Sequence, residues 1–175
     1  MLLPLLLSGL LLYYSFMGLE LQYSTDRLFR GLGADQELAG GDAGLRDVSA
    51  DEDKSQVKYP GVRELSDAAN DPRGRNYWDG QSAQLKGVFA PLSDKEFVLF
   101  RLKMTCCASD AVPMKVRIFS KTSLASLGLQ RGKGAVATGQ VQFRKIKDSD
   151  EYVPILVATD IKPAELGSDL FDRGN

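Results

Sequence analysis

The sequence predicts a small, mainly β domain whose five strands close into a barrel, with one short helix between strands 3 and 4. Two observations support this class. Residues 83–161 read as five strands separated by turns, and strand 2 alternates between apolar and polar side chains almost throughout. A run with helical spacing at residues 122–129 separates the third strand from the fourth.

The first two strands are predicted at residues 83–89 and 96–107. Three residues share one face of strand 1, namely Leu85, Gly87 and Phe89. The even positions of strand 2 are apolar, namely Val98, Phe100, Leu102, Met104 and Cys106. Because side chains alternate across a strand, we expect the even face, with Cys106, to line the core and Cys107 to lie outside.

The later elements give the strand order of a known barrel. Strand 3, at residues 114–120, would bury Met114, Val116 and Ile118. The helix begins near a cap at Thr122 or Ser123. Strands 4 and 5 are expected at residues 135–145 and 152–161, with a turn at 147–150 between them. Three strands, a helix and two strands is the order of the OB-fold, so the barrel is predicted to be OB-like.

The N-terminus predicts a single-pass membrane anchor. Residues 2–19 are uncharged and largely apolar, and as a helix they would be about 27 Å long, close to the hydrocarbon thickness of a bilayer. A cleaved signal peptide is the main rival, but a basic first region and an Ala-x-Ala site are missing. Arg27 and Arg30 follow the apolar run and favour an orientation with the C-terminal domain in the cytoplasm, although two arginines do not determine the orientation.

Four segments are therefore expected. Residues 1–32 would form the transmembrane helix and its extension, 33–59 a flexible acidic linker, 60–165 the OB-like soluble domain, and 166–175 a disordered tail. At the start of the soluble domain, Val62, Leu65 and Ala69 fall on one face of a short helix that ends before Pro72.

Charge and composition restrict the function. Residues 33–71 carry ten acidic and four basic residues, whereas residues 73–162 carry fifteen basic and eight acidic residues, a net charge of +7. The chain has no histidine, which excludes histidine-based triads and histidine-liganded metal sites. No nucleophile with a recognisable base remains, so we expect a protein that is not an enzyme.

The two cysteines, in the stretch TCCASDA, leave three interpretations open. Cys106, Cys107 and Asp110, with Met104 or Met114, could bind a soft metal ion, Zn or Cu(I), if a bulge or the strand end brings both sulfurs to one side. A strained vicinal disulfide is the second interpretation. In the third, the cysteines only pack and Asp110 bonds backbone amides.

Two further residues near these elements are expected to be structural. Arg101 on strand 2 is close enough along the chain to form a salt bridge with Asp110 in the following loop. Trp78, the only tryptophan, directly precedes strand 1 and would fill one end of the barrel.

The order YWDGQSAQLKGVFAP, FVLFRLKMTCCASDAVPMKVRI, GAVATGQVQF and YVPILVATDIKP resembles the soluble domain of the YcgQ-like bacterial membrane proteins, which are labelled as subunits of a two-component permease. The resemblance spans about residues 77–163, and its most specific residues are Arg101, Cys106, Cys107, Asp110 and Ala111. The resemblance implies a hydrophobic N-terminus followed by an OB-like domain, and a multi-spanning permease as the partner. This chain has one apolar segment where such proteins typically have more.

We therefore expect a membrane-anchored accessory module of a permease. The alternative is that the basic barrel binds single-stranded nucleic acid or an anionic surface. Nucleic acid is the weaker expectation, because binding sites for single strands need exposed aromatic rings and the strands offer only Phe97 and Phe119 as outward candidates.

Overall fold

The computed structural model describes residues 37–38, 45–46, 57–103, 111–166 and 171–172. The predicted anchor at residues 2–19 and the segment 104–110, with both cysteines, lie outside these ranges. Within the described ranges, no helix combines the length and the apolar character needed to cross a bilayer.

The described chain confirms the predicted five-stranded barrel. Its strands are β1 (Ser82–Pro91), β2 (Glu96–Lys103), β3 (Val112–Ser120), β4 (Gly134–Lys145) and β5 (Tyr152–Ala164). They are arranged in the order β1-β4-β5-β3-β2, and β1 pairs again with β2 to close the barrel. All neighbours are antiparallel except β3 and β5, which are parallel. This order and closure are those of an OB-fold.

Two helices precede the barrel, and only the first was predicted from the sequence. Helix α1 (Val62–Ala69) lies where it was predicted and packs its apolar face against β1, β2, β3 and β5. Helix α2 (Pro72–Trp78) follows directly. Pro72 does end α1, but it also begins α2, because Asp71 caps the new helix by accepting hydrogen bonds from the backbone N–H groups of Arg73 and Gly74.

The helix between strands 3 and 4 is present but is shorter than residues 122–129. It is a single 3-10 turn, Leu124–Leu127, and Gly128 ends it in the left-handed conformation with φ 64°. Ser123 precedes the turn but does not cap it, because its hydroxyl donates to Asp94 at 2.6 Å. Leu124 is buried and covers the barrel end at which β1 turns into β2.

The prediction that the even face of strand 2 lines the core is wrong. Phe97 and Leu99 belong to the main core cluster, whereas Val98 and Phe100 lie on the outer face. The register sets this phase, because Leu99 pairs with the core residue Phe89 and paired residues share a face. Both faces of β2 are buried at residues 97–100, so hydropathy could not distinguish them. The prediction that Cys106 lines the core assumed that the even-numbered residues of strand 2 face inward. Cys106 itself lies outside the described residues.

Parts of the expected linker and tail contact the barrel where they are described. Leu38 forms a bridge with Ile146, and the side chains of Leu38 and Leu45 pack against Ile155 and Val157 on the outer face of β5. In the tail, residues 171–172 pair in parallel with the end of β2.

Candidate interaction surface

Trp78, at the end of α2, anchors the region in front of β1. Its side chain is 6% exposed and belongs to the main core cluster together with Ala83 and Leu85 of β1. The ring of Tyr77 meets it edge-on, with 5.1 Å between the ring centroids. The burial of Trp78 therefore holds the neighbouring Tyr77 at the surface, where 56% of this residue is exposed.

Lys58 is held beside these rings by backbone pairing. The Lys58 N–H donates to the Ser82 carbonyl at 2.9 Å, and the Gln84 N–H donates to the Lys58 carbonyl at 2.8 Å. The Lys58 ammonium lies 4.3 Å from the centroid of the Tyr77 ring and donates to the Tyr77 hydroxyl at 3.1 Å. It is thus a cation placed over an aromatic face, an attractive arrangement.

A second pairing of a cation with a ring lies at Arg75. Its guanidinium carbon is 4.1 Å from the centroid of the Tyr152 ring at the start of β5. The same guanidinium donates to the Ala69 carbonyl at 2.6 Å, which ties α2 to the end of α1. Arg75 and Tyr77 thus present one cation and one ring on a helix of seven residues.

We use the name cation–aromatic surface for Lys58, Tyr59, Arg73, Arg75 and Tyr77. Tyr59 is the next residue after Lys58 and is 75% exposed, and Arg73 is exposed on the first turn of α2. Two acids adjoin α2 in the described chain, Asp71 and Asp79, and both are engaged. Asp71 caps α2, and Asp79 accepts a hydrogen bond from the guanidinium of Arg46.

Two exposed ion pairs involve lysines of the β4–β5 turn, which directly precedes Tyr152. The Lys147 ammonium donates to Glu37 at 2.7 Å, which lowers the pKa of the Glu37 carboxyl and raises the pKa of Lys147. The Lys145 ammonium donates to Asp150 at 2.7 Å, with the same opposite effects on the pKa of each group. Both pairs are screened by solvent, so they orient the hairpin more than they stabilise it.

The residues of the predicted cysteine site are only partly described. Cys106, Cys107 and Asp110 lie outside the described ranges, as does Met104, so the metal site and the Arg101–Asp110 salt bridge remain predictions. Arg101 is half-buried, and its Nε donates to the Lys86 carbonyl at 3.0 Å. Ala111 directly precedes β3, and Met114 packs against the main core. Among the described residues, no three His, Cys, Asp or Glu side chains form a group that could hold a metal ion.

The aromatic residues expected to face outward do not form a stacking platform. Phe97 is 0% exposed in the core, and Phe119 packs against the outer-face pair Ile155 and Val157. Among the described residues, the large exposed rings are instead those of Tyr59 and Tyr77, which precede the strands. The pair Asp71–Pro72 was the signal in the sequence that could have predicted α2, because an Asp-Pro pair can begin a helix as well as end one. Tyr77 lies on that helix.

The outer face of the β1–β2 hairpin is apolar and closed. Val88, Ala90, Val98 and Phe100 are each 2–3% exposed, and none of them belongs to the cluster inside the barrel. In the register, Val88 lies opposite Phe100 and Ala90 opposite Val98, so the four form a continuous patch. The face of β2 is part of the surface with which OB-folds bind oligonucleotides. Here the residues of this face are buried and not open to a ligand.

Solved structures with related barrels show low overall likeness to this chain. The telomere capping protein Ten1 from Saccharomyces pombe has a TM-score of 0.37 at 18% identity, covering 65% of this chain and 86% of that one. A lipoprotein from Klebsiella pneumoniae subsp. pneumoniae, proposed to bind nucleic acid, has a TM-score of 0.38 at 16% identity, covering 62% and 92%. Yeast RPA bound to single-stranded DNA has a TM-score of 0.36 at 7% identity, covering 70% and 83%.

No protein-family model and no curated protein matches the sequence. The strand order and closure of the barrel therefore define the class of this domain, an OB-fold, and the solved structures do not assign a ligand to it.

Proposed function

We propose that this chain is a membrane-tethered, non-catalytic OB-fold module that serves as an accessory subunit of a multi-spanning permease. The apolar run at residues 2–19 supports the tether, and the resemblance of residues 77–163 to the YcgQ-like proteins supports the partner. The absence of histidine from the sequence supports a binding role rather than a catalytic one.

The observation that carries this proposal is the closed outer face of the β1–β2 hairpin. A site for single strands combines a basic groove with exposed rings on which bases stack. The outer face of β2 presents Val98 and Phe100 instead, and both are buried. Because this face is already buried within the chain, it offers no open ring on which a base could stack, which weighs against a module that binds a single strand along its sheet.

Val112 offers a place to test the partnership. It begins β3, is 55% exposed, and directly follows the segment that holds the cysteine motif. A photo-crosslinking residue at position 112 of the full chain in native membranes is expected to give an adduct with one multi-spanning membrane protein, identified by mass spectrometry. The matched control carries the same residue at Ala125, which is exposed on the 3-10 turn at the other end of the barrel.

The outcome distinguishes a partner from general proximity. An adduct that forms at position 112 and is absent at position 125 supports the accessory role. Adducts with lipid alone, or the same protein adducts from both positions, contradict it.

Nucleic-acid binding is the second candidate, and the net charge of +7 over residues 73–162 is the observation in its favour. It is tested with a labelled single-stranded oligonucleotide and the full chain in neutral detergent. A mobility shift at about 50 mM salt that disappears at about 200 mM would favour it, because phosphate contacts are strongly salt-dependent. No shift at the lower salt concentration removes this candidate.

A further inference from the structure

We infer that the cation–aromatic surface docks onto the headgroup layer of an anionic membrane. The inference rests on the proposed tether and deepens it, because it gives the barrel a second, reversible contact with the same bilayer. The ligand is the phosphate of an anionic lipid headgroup, which the cations of this surface would bind. The amphipathic rings of Tyr59 and Tyr77 would lie in the same headgroup layer.

The exposed side chains of this surface suit a membrane interface. Tyrosine combines an apolar ring with a polar hydroxyl and is enriched at the headgroup level of bilayers. Tyr59 and Tyr77 are 75% and 56% exposed, although aromatic side chains of this size are usually covered in a folded domain. Lys58, Arg73 and Arg75 supply cations beside them, and lysine and arginine near an anionic leaflet each strengthen binding.

The charge of the region is complementary to an anionic surface. The two neighbouring acids, Asp71 and Asp79, are occupied by the start of α2 and by Arg46 respectively. The cations of the cation–aromatic surface are Lys58, Arg73 and Arg75, and the charge of Asp79 is paired with Arg46.

The contacts of the rings favour lipid over nucleic acid. A nucleobase stacks on an open ring face. One face of Tyr77 is covered by the Lys58 ammonium at 4.3 Å, and one face of Tyr152 by the Arg75 guanidinium at 4.1 Å. A headgroup phosphate needs no open ring face, because it contacts the cation itself while the ring edge and hydroxyl stay in the interfacial layer.

Trp78 provides an intrinsic probe for the test. It is the only tryptophan of the chain, its ring centroid is 5.1 Å from that of Tyr77, and the Lys58 ammonium is 5.4 Å from its centroid. The full chain is reconstituted in nanodiscs of phosphatidylcholine, with or without phosphatidylglycerol, that contain a lipid with a nitroxide on its headgroup. If the surface docks, the nitroxide quenches Trp78 fluorescence.

Quenching is expected to increase with the fraction of phosphatidylglycerol and to be reversed by high salt. The variant Lys58→Gln/Arg73→Gln should lower the equilibrium constant between the docked and undocked states, obtained from the quenching, about 25-fold, which is about fivefold for each cation removed. The control variant Lys95→Gln/Lys133→Gln makes the same change of charge at exposed positions at the other end of the barrel and should leave quenching unchanged. The variant Lys58→Arg, which keeps the cation, should retain quenching.

Three results would overturn the inference. The first is equal quenching in nanodiscs with and without phosphatidylglycerol. The second is an equal loss of quenching in the two double variants. The third is quenching by a single-stranded oligonucleotide in phosphatidylcholine nanodiscs with no response to phosphatidylglycerol, which would assign the surface to nucleic acid.

Flotation of the full chain with phosphatidylcholine vesicles separates this inference from the tether. If the chain floats with these vesicles but its quenching does not depend on phosphatidylglycerol, the tether holds and the surface does not dock. Salt-sensitive binding to vesicles that contain phosphatidylglycerol, without flotation on phosphatidylcholine alone, means that the surface docks and the tether fails.

Discussion

The side-chain amide of Gln142 pairs with the backbone of Arg46 as a second strand would. The Arg46 N–H donates to Gln142 Oε1 at 3.2 Å, and Gln142 Nε2 donates to the Arg46 carbonyl at 3.1 Å. Gln142 lies in β4 and is 2% exposed, so both of its amide groups are removed from bulk water. A buried amide needs such partners, because an unsatisfied polar group in the interior is costly.

The first prediction concerns this pair. The variant Gln142→Leu removes both hydrogen bonds at similar volume and is expected to lower the free energy of unfolding by about 1–3 kcal/mol. Hydrogen exchange at the Arg46 amide should accelerate as well, since that N–H loses its acceptor. Both are measured on the full chain in neutral detergent.

Gln130→Leu is the matched control for Gln142→Leu. Gln130 is exposed in the loop before β4, so the same substitution there should change the free energy of unfolding by less than about 0.5 kcal/mol. If Gln142→Leu leaves the exchange rate of the Arg46 amide unchanged, the pairing does not hold this segment.

The second prediction concerns the close approach of β4 and β5 at Gly139. The register shifts between Thr138 and Gly139, and a Cβ on Gly139 would lie 2.1 Å from the Val157 carbonyl oxygen and 2.7 Å from the Ala158 Cα. Backbone atoms cannot move aside as a flexible side chain can. Gly139→Ala is therefore expected to destabilise the barrel by about 3 kcal/mol or more, measured by urea unfolding.

Gly61→Ala is the control for this substitution. Gly61 precedes α1, and the nearest atom to an added Cβ there is the Arg63 nitrogen at 4.0 Å. The change should cost less than about 1 kcal/mol. Equal losses from the two substitutions would show that the approach at Gly139 is not the source of the effect.

The sequence could predict the barrel because its strands are rich in apolar residues, with alternation clearest in β3 and in most of β4, and because turn residues separate them. It could not predict which face of β2 is the inner one, since residues 97–100 are apolar on both faces and only the pairing of Leu99 with Phe89 fixes the phase. Periodicity reports how amphipathic a strand is, and β2 is not amphipathic at these positions.

The candidate surface was missed for a different reason. Its residues are brought together by α2 and by the backbone pairing of Lys58 with β1, two features without a strong apolar period. The contact of Lys58 with Tyr77 joins residues 19 positions apart in the sequence. Hydrophobic patterns locate cores, whereas a surface that combines charges and rings depends on tertiary contacts.

The third prediction concerns pH and the Glu37–Lys147 pair. The Lys147 ammonium lowers the pKa of Glu37 below its ordinary value of 4.5. A carboxyl with a lowered pKa contributes to stability above its unfolded value and loses that contribution as the pH falls through the folded value. The contact of Glu37 with the hairpin is therefore expected to be complete above about pH 5 and to be lost in more acidic solution.

The measurement is an NMR titration of the Glu37 side-chain carboxyl in the full chain. Lys147→Gln should raise the pKa of Glu37 toward 4.5. The same variant should leave the lowered pKa of Asp150 in place, because the partner of Asp150 is Lys145. A Glu37 pKa that does not respond to Lys147→Gln would show that the ion pair is not formed in solution.

The fourth prediction concerns the cysteine motif, which the sequence places between β2 and β3. A thiolate pair with the Asp110 carboxylate is a donor set that suits Zn or Cu(I). If the motif binds a metal ion, the full chain purified under reducing conditions will retain about one Zn or Cu(I) ion per chain by elemental analysis. Cys106→Ser and Cys107→Ser should each remove it, whereas Met114→Leu should retain it, because Met114 packs against the core. Metal-free protein under these conditions would leave a vicinal disulfide or packing, and free-thiol counting before and after reduction distinguishes these two.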